Sequence, residues 1–87
     1  MRIRVYSVEA NFTNKFKKQY IDILKKYNLE IVKEKIEDYF FNQYLGNAYY
    51  ITINKIEELF NLSKELKEEL IIDYDNNSIT IYDDYVE

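Results

Sequence analysis

The chain contains no cysteine, histidine, proline or tryptophan, and one glycine, Gly46. Each absence removes a class of chemistry. Without cysteine there is no disulfide, no thiolate nucleophile and no Cys/His zinc site, which fits a reducing compartment. Without histidine there is no imidazole to act as general base. One glycine cannot build a Gly-rich loop around phosphates. The three serines, Ser7, Ser63 and Ser78, lie outside any Gly-x-Ser-x-Gly turn. No apolar run approaches the roughly 20 residues that span a bilayer. The opening Met1-Arg2-Ile3-Arg4-Val5 alternates charged with apolar residues, unlike a secretory leader. The expectation is a cytoplasmic protein that is not an enzyme and carries no cofactor.

What is present is unevenly distributed. Residues 1–35 carry a net charge of +5 and residues 36–87 a net charge of −9. The last twenty residues hold seven acids and no base. Ten tyrosines in 87 residues exceed what a small core hides, because each buried hydroxyl needs a partner. Tyr39, Tyr44, Tyr74, Tyr82 and Tyr85 are the candidates for exposure. The bias toward Ile, Lys, Asn, Tyr and Phe follows AT-rich codons and points to a low-GC bacterium, its phages or an archaeal virus.

Residues 2–8 alternate as a strand, with Ile3 and Val5 on one face and Arg2, Arg4 and Tyr6 on the other. Phe12, Phe16, Tyr20, Ile23, Leu24 and Tyr27 form a helical stripe, capped by Asn11 or Thr13 and closed at Asn28. Leu29 to Ile36 and Asn47 to Ile53 read as strands, and residues 38–46 as strand or aromatic loop. Asn54 with Glu57 begins a second helix, whose inward stripe reads Ile56, Leu59, Phe60, Ser63 and Leu66. Leu70 to Tyr74 and Ile79 to Tyr82 form a hairpin around Asp75-Asn76-Asn77-Ser78. The expected fold is one α+β domain over residues 1–87. It is a split β-α-β, ferredoxin-like β-α-β-β-α-β order with an added C-terminal hairpin strand. Its antiparallel sheet carries two helices on one face.

Four constellations bear on function. The C-terminal hairpin sets Asp73, Asp75, Asp83, Asp84 and Glu87 among Tyr74, Tyr82 and Tyr85. A row of carboxylates on a rigid hairpin imitates phosphates, and the tyrosines supply rigid contact area. The plain alternative is a solvated edge that resists aggregation. Asp73, Asp75 and Asp83 could approach across the hairpin as oxygen ligands for Mg or Ca, but the loop lacks the Gly and distant Glu of an EF-hand, so no metal is expected. Arg2 and Arg4 with Tyr6, Tyr49 and Tyr50 could stack bases on an open sheet. The net charge of −4 and the lack of an RNP motif argue against nucleic acid as a direct partner. Phe12, Phe16, Phe40, Phe41 and Phe60 are expected in the core.

The layout from Tyr49 to Glu87 resembles small acidic proteins of phages and mobile elements in low-GC Firmicutes. It runs through Tyr49-Tyr50-Ile51-Thr52-Ile53-Asn54, Lys55-Ile56-Glu57-Glu58-Leu59, Glu69-Leu70-Ile71-Ile72 and Ile79-Thr80-Ile81-Tyr82-Asp83-Asp84-Tyr85. Anti-CRISPR inhibitors are among such proteins. The resemblance implies an inhibitor of a host defence protein, a CRISPR effector, whose basic nucleic-acid surface it blocks. Asp83 and Asp84 changed together to lysine are then expected to weaken binding strongly and leave the fold intact. Two alternatives remain open. One is a self-associating structural or regulatory module, pairing with a copy of itself through an open sheet face or the edge at Ile79–Tyr82, so that the chain is a monomer or a homodimer. The other is a ferredoxin-like metal-dependent nuclease using Glu9 or the hairpin acids.

Overall fold

A computed structural model describes residues 1–83. Asp84, Tyr85 and Glu87, named above, lie outside the described residues. The elements run β1 (Arg2–Ser7), α1 (Val8–Thr13), α2 (Lys18–Leu24), a 3-10 turn (Lys25–Tyr27), β2 (Glu30–Glu37), β3 (Gln43–Thr52), α3 (Glu57–Leu66), β4 (Glu69–Asp73) and β5 (Ser78–Tyr82). The fold is α+β, with one five-stranded sheet in the order β2-β3-β1-β5-β4.

The sheet is mixed, which corrects the antiparallel expectation. β1 and β5 run parallel, while β1–β3, β2–β3 and β4–β5 are antiparallel. The first half keeps a split β-α-β, with β3 seated between β1 and β2. In the second half the place beside β1, where a ferredoxin-like sheet seats its fourth strand, is held by β5. Burial accounts for this exchange. Ile79 and Ile81 of β5 are fully buried, whereas only Leu70 of β4 is partly covered. The more β-branched and apolar strand takes the interior seat, and β4, ending in Glu69 and Asp73, takes the edge. β5 is therefore paired on both sides, so Ile79–Tyr82 is not an edge at which a second copy could pair.

One face of the sheet carries the core. Ile3, Val5, Ile51, Ile53, Ile79 and Ile81 meet Tyr20 and Leu24 of α2 and Leu59, Leu62 and Leu66 of α3. Tyr20 is buried, and its hydroxyl donates to Glu68 at 3.0 Å. Burial, then the bond to Glu68, pushes this phenol from its ordinary 10.0 up to about 12. The unfolded chain thus ionises first, so the contribution of Tyr20 is complete below pH 10 and declines as pH rises toward 12. The denaturation midpoint is expected to fall across that interval, and a Tyr20→Phe variant to show a shallower fall.

Two helix readings change. The single stripe from Phe12 to Tyr27 is broken, because Asn14 adopts a left-handed conformation (φ 59°) and closes α1. Asn tolerates that region, and its N–H returns to the Ala10 carbonyl. α1 starts directly from Ser7, whose hydroxyl accepts the Ala10 N–H. In α3 the inward stripe is Leu59, Leu62 and Leu66, so Phe60 and Ile56 are exposed and Ser63 is only partly covered. The capping carboxylate is Glu58, which accepts the N–H groups of Asn54 and Lys55, rather than Glu57.

Candidate protein-binding edge

The hairpin of β4 and β5 is organised by its own turn. Asp73 accepts the N–H groups of Asp75 and Asn76 and the Asn76 side-chain amide. The Asn76 side chain is the main reason the Asp73 carboxyl sits below the usual carboxylate range. The turn holds Tyr74 out in solvent, 70% exposed. The register opposes Asp73 to Ser78 and Glu69 to Tyr82. Asp83 thus lies at the far end of β5 from Asp73 and Asp75, and the three do not converge on a metal. Among the described residues, no three acids are placed to hold one.

Asp83 is also withdrawn from the surface. It is 1% exposed, accepts the Ser7 hydroxyl at 2.8 and 3.0 Å and accepts the Glu9 N–H at 3.2 Å. Its carboxylate braces the start of α1, which corrects its assignment to a partner-binding row. Glu9, the alternative catalytic acid, is paired with Lys17 at 2.9 Å.

What the structure does assemble is an apolar groove along β4. Leu70 and Ile72 share the helix side of the sheet with Ile81 and Ile79, and face α3. With Ile56, Phe60, Ser63 and Tyr74 they line a groove of about 270 Å³. The start of β4 at Glu69 borders it, with Glu69 on the open face opposite Tyr82, and Asp73 and Asp75 flank Tyr74. Glu57, Glu69, Asp73 and Asp75 form no ion pair among the described residues, a lack they share with Glu37, Asp38, Glu58, Glu68 and Asp83, whereas Glu9, Asp22, Glu30, Glu34 and Glu65 each have one. Unpaired acids around exposed aromatic and aliphatic side chains make a surface that attracts cations and has apolar anchors to hold them. Of the residues expected from sequence, Tyr74 is exposed beside Asp73 and Asp75, Tyr82 is half-exposed on the opposite face, and Phe60, expected in the core, is exposed. The signal for Phe60 was the width of α3's apolar arc, which is more than one sheet face can cover.

On the opposite, open sheet face the two arginines of β1 are paired, although the Arg4 Nε is buried without a hydrogen-bond partner among the described residues. Arg2 stacks over Tyr50 at 3.8 Å and pairs with Glu30 at 3.4 Å. Arg4 pairs with Glu34 at 3.1 Å, and the Tyr50 hydroxyl donates to Glu34 at 2.6 Å. Tyr49 lies on the other face, against Phe16. The base-stacking set proposed from sequence is thus divided between two faces, and Arg2 covers one ring.

A second aromatic surface sits at the β2–β3 turn, which resolves residues 38–46 into a loop followed by strand. Tyr39, Phe40 and Phe41 are exposed, against the expectation that Phe40 and Phe41 are core. Asp38 fixes the turn by accepting the N–H groups of Phe40 and Asn42. Burial works against its ionisation, but the Asn42 and Phe40 bonds outweigh it, so its carboxyl lies below the usual range. Phe41 has φ 64° and is 81% exposed, a left-handed conformation that disfavours a β-carbon. Phe41→Asn is expected to stabilise the fold by about 0.5–1 kcal/mol, read as a raised urea midpoint.

No protein-family model matches this chain, and no match was found among curated proteins or solved structures. No helix among the described residues is long and apolar enough to cross a membrane.

Proposed function

We propose that the chain is a non-catalytic binding protein that captures a basic protein surface through the β4–α3 edge. The observation that carries this reading is the groove of Ile56, Phe60, Ile72 and Tyr74 beside acids that have no cation of their own. Buried pairs contribute little to recruitment, whereas unpaired surface acids steer an oppositely charged partner and fix its register. In its narrower form the protein is an inhibitor encoded by a phage or mobile element. It occludes the nucleic-acid groove of a host defence protein, a CRISPR effector, in the host cytoplasm and binds no nucleic acid itself. The net charge of −9 over residues 36–87 supports that form, because a groove built for phosphates accepts carboxylates by the same cations.

The test compares the wild-type chain with a Glu69→Lys, Asp75→Lys variant as bait in lysate of a low-GC bacterial host. Both positions are exposed, so the fold is retained. The wild type is expected to recover one nucleic-acid-processing protein at low salt and to inhibit its cleavage activity when titrated against it. Charge reversal and raised salt are each expected to release that protein. Recovery that is indifferent to both would rule out electrostatic capture through this edge.

A further inference from the structure

Resting on the reading of β4–α3 as a docking surface, we infer that β4 accepts an extended partner strand. That strand carries Lys or Arg at positions i and i+4 and apolar residues at i+1 and i+3. The two edges of the sheet differ in a way that singles out β4. The outer strand β2 reads Glu30-Ile31-Val32-Lys33-Glu34-Lys35-Ile36-Glu37, and its frequent charges discourage a further strand. The interior of β4 is Leu70-Ile71-Ile72, with no charge, proline or bulge. Ile71 and Ile72 are both exposed.

The backbone defines how an occupant binds. Among the described residues β4 pairs with β5 alone, so alternate residues turn their N–H and C=O groups outward. A strand laid about 4.8 Å beyond β4 takes up those groups and covers the groove beside α3. Residues directly opposite share a face, which sets the side chains the occupant needs. Those facing Leu70 and Ile72 lie over Phe60 and Tyr74 and are apolar. Those facing Glu69 and Asp73 lie on the open face and are cationic, because they meet carboxylates that have no ion pair among the described residues, Asp73 also holding the hairpin turn.

The same pattern disfavours a second copy as the occupant. Two β4 strands paired antiparallel about Ile71 place Glu69 of one opposite Asp73 of the other, at both ends. Like charges directly opposed destabilise such a pair.

Two synthetic peptides of equal composition test the inference on the full chain: Ser-Lys-Val-Thr-Val-Lys-Ser and Ser-Val-Lys-Thr-Lys-Val-Ser. The first is expected to bind about tenfold more tightly than the second. It is also expected to slow hydrogen exchange at alternate β4 amides by about tenfold or more. Phe60→Ser, at a site 67% exposed, is expected to keep the fold and lose the preference. Equal binding of the two peptides without β4 protection would overturn strand addition and leave the acidic docking surface standing. Failure of both peptides, while lysate capture still depends on Glu69 and Asp75, would overturn strand addition alone. Failure of both, with capture indifferent to charge reversal, would remove the docking reading too. A mass that rises with concentration, with β4 amides already protected in the free chain, would give the edge to a second copy and overturn the inference.

Discussion

Asp83→Lys is expected to unfold the chain at room temperature. The Asp83 carboxylate is buried between the end of β5 and the junction of β1 with α1, and two donors, the Ser7 hydroxyl shared between both its oxygens and the Glu9 N–H, hold it there. Ser7 in turn accepts the Ala10 N–H, so one carboxylate organises the first turn of α1 from 76 residues away. Asp83→Asn keeps the shape and weakens the charge-assisted bonds, at a cost of about 1 kcal/mol. Asp83→Ala leaves the Ser7 hydroxyl and the Glu9 N–H without their acceptor, at about 2–3 kcal/mol. Lysine sets a buried ammonium against the Glu9 N–H, which cannot accept from it, and a Ser7 hydroxyl already accepting from Ala10, with several kcal/mol of desolvation. A small domain holds about 5 kcal/mol in total, the low end of the usual range. Circular dichroism with urea titration ranks the three variants. A native midpoint for Asp83→Lys would show that the buried carboxylate contributes nothing. The double change at Asp83 and Asp84 therefore cannot serve as a probe of binding, since the first half of it attacks the fold.

Leu62→Ala and Phe60→Ala are expected to separate stability from binding within a single turn of α3. Leu62 is fully buried among the core side chains of the sheet and helices. Its truncation removes transfer free energy and leaves a cavity, costing about 3 kcal/mol. At 67% exposure Phe60 has little burial to lose, so its truncation changes stability by less than about 0.5 kcal/mol. Phe60 lies in the groove with Ile72 and Tyr74, where an aromatic anchor dominates binding. Phe60→Ala is therefore expected to weaken capture of the basic partner by about thirtyfold or more. Denaturation midpoints and affinities, measured on both variants, check the contrast. A large stability loss at Phe60 would place it in the core after all.

These two residues also mark how far the sequence reached. Ile56, Leu59, Phe60, Leu62, Ser63 and Leu66 spread around more than one side of α3, so periodicity identified a helix without fixing which side faces in. Packing decided that: Leu59, Leu62 and Leu66 meet Leu24 and the isoleucines of the sheet, and Ile56 and Phe60 turn toward β4. Asp83 follows the same logic. In sequence it is one acid beside another in an acidic tail. Only a partner distant in the chain, Ser7, distinguishes a brace from a surface charge.

The sequence by itself determined the α+β class, the alternation of β1, the C-terminal hairpin and the exposure of Tyr39, Tyr74 and Tyr82. Each depends on neighbours within a few residues, where side-chain period and turn chemistry act directly. It also determined the lack of imidazole, thiol and glycine-loop chemistry. Tertiary structure alone decided that β5, not β4, lies beside β1, that the sheet is mixed, that Asp83 is buried and that β4 is an edge among the described residues. Those outcomes depend on which apolar surfaces compete for the same interior seat, and that competition joins residues far apart in the chain.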